Sequence, residues 1–220
     1  MFTLVLLGPP GAGKGTQAVR ICERFDFVHI STGDMLRDEI AKKTDIGLIA
    51  ADCLHRGEFV PNELIIDMVE RSLESLSSHN GVVLDGFPRT LAQAETLSRI
   101  NEIDMAISIA VEREVLLERV LNRRICIHCK ATFNAKEVNV RCKHCGHKLY
   151  IRDDDRPDTF NTRFSVYEER TVPIIEYYRA KGLLEEVNGE DELQTVSANI
   201  AQILENKLSA ASGGNTDDKH

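Results

Sequence analysis

Phe2 to Thr16 reads FTLVLLGPPGAGKGT, and the fold turns on this stretch. Phe2 to Leu7 is a continuous apolar run rich in β-formers, so it predicts a buried strand. A Gly/Pro-rich turn follows, then Lys14 and Thr16, then helical spacing from Gln17 to Phe25. Strand, glycine loop, lysine and helix together describe a phosphate-binding loop. Gly11, Gly13 and Gly15 allow tight backbone conformations whose N–H groups turn inward, and the helix N-terminus adds unpaired donors. Lys14 supplies a mobile charge for a β/γ-phosphate. The spacing departs from the general pattern at one position: Gly15, not Ser or Thr, follows Lys14.

Working outward, Val28 to Ile30 predicts a second strand, and Ser31-Thr32-Gly33-Asp34 a turn and cap for a helix through Met35, Leu36 and Ile40. Arg37 falls in the first turn of that helix, where a cation opposes the dipole unless an anion docks beside it. A short helix over Ile46 to Leu54 and an extended Phe59-Val60-Pro61 come next. Asn62 is a candidate cap for a helix through Leu64 to Leu73.

Gly81 to Asp85, GVVLD, has the form of a strand ending in a carboxylate that holds Mg²⁺ directly or through water. Phe87-Pro88-Arg89-Thr90 projects Arg89 beyond the strand end, where ligands sit in open α/β sheets. Thr90 and Gln93 have capping-box spacing. Met105 to Val111 predicts another strand and Glu112 to Leu121 a helix with Arg119, Arg123 and Arg124 at its end, where dipole complementation alone accounts for Arg124.

Cys126-Ile-His-Cys129 is followed, after twelve residues, by Cys142-Lys-His-Cys145. Two C-x2-C knuckles suit four thiolates around a structural Zn²⁺ in a small β-hairpin module, with His128, His144 and His147 as nearby alternative ligands. Tyr150 to Pro157 is dense in charge and reads as a solvated loop. A long helix follows over Asp158 to Ala180, interrupted near Pro173, then a strand over Leu183 to Val187 and a helix over Asp191 to Leu208.

The chain has 220 residues and a formal net charge of −8, which disfavours general nucleic-acid or acidic-membrane binding. No run is long enough to span a bilayer, and the N-terminal run is short for a signal peptide and lacks a basic flank. A cytoplasmic location is expected, where six cysteines read as thiols or metal ligands. Strand–helix alternation implies a parallel α/β sheet.

At this point the chain resembles the adenylate kinase family, of its long-lid, zinc-containing bacterial type. The resemblance spans Phe2 to about Leu208. It rests on GPPGAGKGT at 8–16, STGDMLR at 31–37, LDGFPRT at 84–90, Arg123-Arg124 with Cys126, the knuckles, and Arg152-Asp153-Asp154 with Arg163. In that family Gly15-Thr16 is the expected loop form.

The resemblance implies a P-loop nucleoside monophosphate kinase fold, a central parallel sheet flanked by helices with two inserted lid modules. The implied core is 1–30, 61–122 and 165–208, with an AMP-binding insert at 31–60, a zinc-binding lid at 123–164 and a disordered tail at 209–220. It implies a reversible ATP + AMP to two ADP reaction by a monomer. Lys14, Arg89, Arg123, Arg152 and Arg163 would be catalytic. Gly11, Ala12, Gly13, Lys14, Gly15, Thr16, Arg119, Arg123, Thr132, Phe133 and Asp191 would hold ATP. Thr32, Arg37, Glu58, Phe59, Val60, Gly86, Phe87, Pro88, Arg89 and Gln93 would hold AMP, with Arg152 and Arg163 reaching across. Asp85, with Asp34, would position Mg²⁺ through water, and Cys126, Cys129, Cys142 and Cys145 would bind Zn²⁺.

Three rivals are distinguishable. A kinase for UMP, CMP or GMP shares every phosphate feature. A P-loop GTPase needs Asn-Lys-x-Asp, but Asn206-Lys207 is followed at the Asp position by Ser209. A nucleic-acid-binding zinc ribbon would use the local basic residues Lys130, Lys136, Arg141, Lys143 and Lys148, against an acidic total and few stacking aromatics beyond Phe133 and Tyr150.

Overall fold

The computed structural model describes residues 1–76, 79–136 and 140–213. In chain order the elements are β1 (Phe2–Leu7), α1 (Lys14–Phe25), β2 (Phe27–Ser31), α2 (Thr32–Lys42), α3 (Asp45–Arg56), α4 (Asn62–Glu74), β3 (Gly81–Asp85), α5 (Leu91–Ile100), β4 (Met105–Ala110) and α6 (Arg113–Leu121). Then come β5 (Arg123–Cys126), β6 (Thr132–Asn134), β7 (Leu149–Tyr150), α7 (Pro157–Val166), a π-helical turn (Tyr167–Thr171), α8 (Val172–Ala180), β8 (Leu184–Asn188) and α9 (Leu193–Gly213).

The main sheet runs β2-β3-β1-β4-β8, and every pairing in it is parallel. Period-two alternation sends Leu4 and Leu6 of β1 to one face and Val5 and Leu7 to the other. Each face is covered, which is why β1 is apolar but for Thr3. Val5, Leu7, Val82 and Leu84 pack with Ile65, Leu97, Ile174 and Tyr178 from α4, α5 and α8. Leu4, Leu6, Val83 and Ile107 pack with Ile21, Leu116, Phe160 and Ile200 from α1, α6, α7 and α9. The chain builds outward from β1 first to one side and later to the other, so the glycine loop leaves the sheet at its topological switch point.

Several sequence expectations shift. α2 begins at Thr32, so Arg37 lies beyond the first turn. Asn62 does not cap α4, whose cap position is Pro61. Its Oδ1 accepts from Gln93 Nε2 at 2.8 Å and Thr90 Oγ1 at 3.3 Å, tying α4 to α5. The expected break near Pro173 is a π-turn ending at Thr171, and Pro173 falls in the first turn of α8, where its missing N–H costs least. The Cys-rich module is a three-stranded antiparallel sheet, β6-β5-β7, rather than a hairpin. α9 continues past position 208 through Ala210 and Ala211, strong helix formers, to Gly213; positions 214–220 of the expected tail lie outside the described residues. Among the described residues, no helix is long and apolar enough to cross a membrane.

Candidate active site

The loops at the C-terminal ends of β1, β2, β3 and β8 converge on one cleft of about 1640 Å³. Gly13 caps α1 with φ 95°, a conformation that a residue with a Cβ rarely adopts. At Gly8 a Cβ would stand 2.8 Å from the Ile109 carbonyl oxygen, so the strand end requires glycine there. Lys14, the first residue of α1, folds back over this loop and donates from Nζ to the carbonyls of Gly8 at 2.7 Å and Pro9 at 3.0 Å. Burial pushes its pKa down to about 8; Arg89, Arg163 and Arg123 push the same way and Asp85 opposes them.

Asp85 ends β3 beneath the loop. A Cβ at Gly15 would stand 3.2 Å from Asp85 Oδ2, which gives the unusual Gly15 a steric reason. Burial works against the Asp85 charge, yet His29, Lys14 and Arg89 hold its carboxyl below the usual range. His29, on β2, carried no sequence signal. Its Nε2 lies 3.4 Å from Asp85 Oδ2, close enough for charge interaction but without hydrogen-bond geometry.

Beyond β3, Gly86 (φ 79°) offers its carbonyl to Thr32 Oγ1 at 2.8 Å and Arg89 Nε at 2.7 Å. The Arg89 guanidinium lies 5.3 Å from the Phe59 ring centroid. Gln93 Oε1 accepts the Arg89 backbone N–H at 2.7 Å, and Thr90 Oγ1 accepts that of Gln93 at 3.2 Å. The expected capping box is thus present but reaches back one residue further. Burial and Arg163 together lower Arg89 to about 10.

Asp153 to Asp155 do not form a simple solvated loop, because Asp154 and Asp155 are buried. Asp155 takes both Nε (2.8 Å) and Nη2 of Arg123 in a bidentate pair. Asp154 Oδ2 accepts from Arg163 Nη1 at 2.7 Å. Both carboxylates therefore aim arginines into the cleft, a role the sequence did not reveal. Asp34, expected beside Asp85 as a magnesium carboxylate, faces Arg37 Nη2 at 2.7 Å and Arg152 Nη2 at 3.7 Å. Arg152 Nε is buried with no hydrogen-bond partner among the described residues.

Every proposed nucleotide-site residue lines this cleft except Phe87. Phe87 is 1% exposed and packs into the core beneath, so only its backbone is available. Arg119, Thr132, Phe133 and Asp191 line the cleft with Gly11 to Thr16, and Glu58, Phe59 and Val60 with Arg37 and Arg89. Arg124 donates to the Leu121 and Arg123 carbonyls at the end of α6, which matches its simple helix-end reading.

Above the cleft, the four Sγ atoms of Cys126, Cys129, Cys142 and Cys145 lie within 4.8 Å of one another, none of them in a disulfide. Pairs stand at 3.4, 3.5 and 3.6 Å. A tetrahedral Zn–S₄ centre has S···S edges of ~3.8 Å from its ~2.3 Å bonds. The His128 and His144 amides donate to Cys126 Sγ at 3.4 Å and Cys142 Sγ at 3.3 Å, as knuckle backbones do around thiolates. The donor set fits zinc.

Comparison with known proteins agrees with this geometry. The adenylate kinase family model matches residues 6–183. The adenylate kinase of Archaeoglobus fulgidus is 44% identical over 214 residues, covering 93% of this chain and 98% of that protein. That of Lachnospira eligens is 44% identical over 210 residues, covering 91% and 99%. The Carboxydothermus hydrogenoformans adenylate kinase is 43% identical over 211 residues, covering 92% and 99%. A phosphate loop at a switch point, an arginine-lined cleft and these matches lead to one conclusion: the chain belongs to the adenylate kinase family, and its four-cysteine cluster supports the long-lid, zinc-binding type.

Proposed function

We propose that the chain transfers a phosphoryl group reversibly between Mg-ATP and AMP, giving two ADP. The observation that carries this reading is the concentration of cations on one cleft: Lys14, Arg37, Arg89, Arg119, Arg123, Arg152 and Arg163. Such an array suits two phosphate-bearing ligands, and Arg152 Nε, buried with no partner among the described residues, can donate to one of them. Phosphoryl transfer demands positioning and charge neutralisation rather than covalent chemistry from the protein.

Gly11, Ala12, Gly13, Gly15 and Thr16 hold the ATP phosphates on backbone N–H groups, and Lys14 moves from its loop carbonyls to the transferring end. Arg119, Thr132, Phe133 and Asp191 complete the ATP side. Thr32, Arg37, the Glu58–Phe59–Val60 backbone, Gly86, Pro88, Arg89 and Gln93 hold AMP. The AMP phosphate is already an anionic nucleophile, so no general base is needed. Arg89, Arg123, Arg152 and Arg163 neutralise charge as it redistributes in line. Magnesium, when bound with ATP, shares this neutralisation. Asp85, mostly covered and held ionised by its cationic neighbours, is the carboxylate suited to orient its hydration shell, whereas Asp34 is engaged by arginines. Residues 31–60 and 123–164 act as inserts that close on a core of 1–30, 61–122 and 165–208, excluding water and suppressing hydrolysis. The zinc module stiffens the second insert.

A coupled assay with Mg-ATP and AMP, UMP, CMP or GMP in turn, plus an acceptor-free control, tests the reading. ADP formation confined to AMP is the expected result. Turnover with another monophosphate would overturn the base assignment, and ATP consumption without acceptor would make the chain a hydrolase.

A further inference from the structure

The zinc module carries two histidines that neither the four-thiol centre nor the transfer reaction uses. His128 lies within the first knuckle and His147 follows the second. Their rings stack at 4.1 Å between centroids with planes 7° apart. A nitrogen of each and Cys145 Sγ lie within 4.8 Å of one another. His147 Nδ1 sits 3.1 Å from the Cys145 carbonyl oxygen. As the donor in that contact, Nδ1 leaves Nε2 with a free lone pair, the arrangement that usually orients a metal-ligating imidazole. Both histidines are exposed and Cys145 is half-buried, so solvent reaches all three donors.

We propose that His128, His147 and Cys145 form a second metal position, outside the four-cysteine centre and sharing the Cys145 thiolate with it. Two imidazole nitrogens and one thiolate select a borderline divalent cation such as Zn²⁺ over Mg²⁺ or Ca²⁺. Four thiolates around one Zn²⁺ leave a net negative cluster, which favours a further cation beside it. Cys145 Sγ keeps lone pairs with which to bridge two ions. Three protein donors leave the fourth position open to water, so this position exchanges its ion more readily than the closed centre. In the stack the in-plane lone pairs of the two rings run in parallel planes, so one imidazole must rotate out of it, and the 4.8 Å spread must contract by about 1.3 Å, to reach bonding geometry; both changes are available to exposed imidazoles.

The proposal rests on the four-cysteine centre holding zinc. A purified chain containing no zinc would defeat that reading first and separately. The test uses full-length protein loaded with one equivalent of Zn²⁺ and titrated with Co²⁺, following the visible d–d bands of tetrahedral cobalt and measuring zinc in the filtrate. We expect bands that saturate at one further equivalent with no zinc released. In His128→Ala/His147→Ala, which should keep its zinc and melting temperature, those bands should disappear. Absence of tetrahedral bands in the unaltered chain would overturn the second position. So would release of zinc in step with the bands, or bands that persist in the double variant, which would mark an adventitious ion only.

Discussion

Lys130 Nζ, at the end of the first knuckle, lies 3.8 Å from Asp38 Oδ1 on α2. The pair, like the Arg152–Asp34 contact at 3.7 Å, ties the chain around the cysteine knuckles to α2. Both side chains are about half exposed, so the pair is worth at most ~1 kcal/mol, or about fivefold in an equilibrium. That is enough to bias the proposed closure. Lys130→Glu should raise KM for both nucleotides by about two- to fivefold while leaving the melting temperature unchanged. Asp38→Lys/Lys130→Glu, which restores the attraction with reversed polarity, should recover most of the loss. Steady-state kinetics on the three proteins decides the matter, and a double variant no better than the single would show that the contact does not assist closure.

Lys14 gives a pH dependence with a definite sign. Its pKa near 8 in the free protein means that the charge needed for phosphate is lost as pH rises through about that value. Bound polyphosphate should pull the pKa back up. Thus kcat/KM for ATP should fall above pH ~8, and kcat should hold to higher pH. Stability runs the other way. Between the folded value of about 8 and the ordinary 10.5, the unfolded chain binds more protons at this position. The Lys14 contribution therefore destabilises the fold at neutral pH, and the penalty fades as pH rises through that window. Lys14→Met should lower kcat by several orders of magnitude without lowering the melting temperature. Near-normal turnover in that variant, or in Arg89→Ala, would remove the assignment of these cations.

The Arg123–Asp155 pair is buried, with the Asp155 side chain fully covered and that of Arg123 14% exposed. Removing one partner leaves an uncompensated charge, which typically costs ~3–5 kcal/mol. Asp155→Ala should therefore lower the melting temperature and weaken ATP binding together. Arg163 also lies 3.7 Å from Asp155 Oδ1, so it loses a second charge contact while keeping Asp154 at 2.7 Å. Unchanged stability in thermal denaturation would mean that solvent enters and screens this part of the cleft.

Features local in sequence were the legible ones. The glycine loop, the Asp85 strand end and the Cys knuckles each declare themselves within a few residues, because the chemistry needs those residue types side by side. Partnerships across long separations were not legible. His29 reaches Asp85 only because β2 pairs with β3 in the register that sets Ser31 against Asp85. Asp154 and Asp155 read as solvated until β5 and α7 bring Arg123 and Arg163 onto them. Asn62 looked like a cap because Asn commonly is one, yet packing of α4 on α5 gives its amide oxygen to Gln93 instead. Strand order depends on which faces bury most area, and no short motif encodes it.

The four-cysteine centre makes the last prediction. Among the described residues, the apolar cluster around the thiols is small, beside a buried Ile125: Cys126, Cys142 and Leu149, with Phe133 and Cys145 packed against them. Two of those three buried side chains are the metal ligands themselves. So little apolar surface cannot hold three short strands by burial alone, and metal ligation must contribute much of the module's folding energy. The main sheet, with its own two packed faces, does not share that dependence. Cys129→Ser, or stripping with a strong chelator, should therefore unfold the cysteine module, β5 to β7, at lower temperature than the core, into which Phe160 of α7 is packed, splitting one thermal transition into two. Arg123 on β5 would then lose its placement, so activity should vanish with the first transition. A single unshifted transition after complete metal removal, with zinc content confirmed as nil, would show that the thiols pack adequately without an ion and that the centre is not structural.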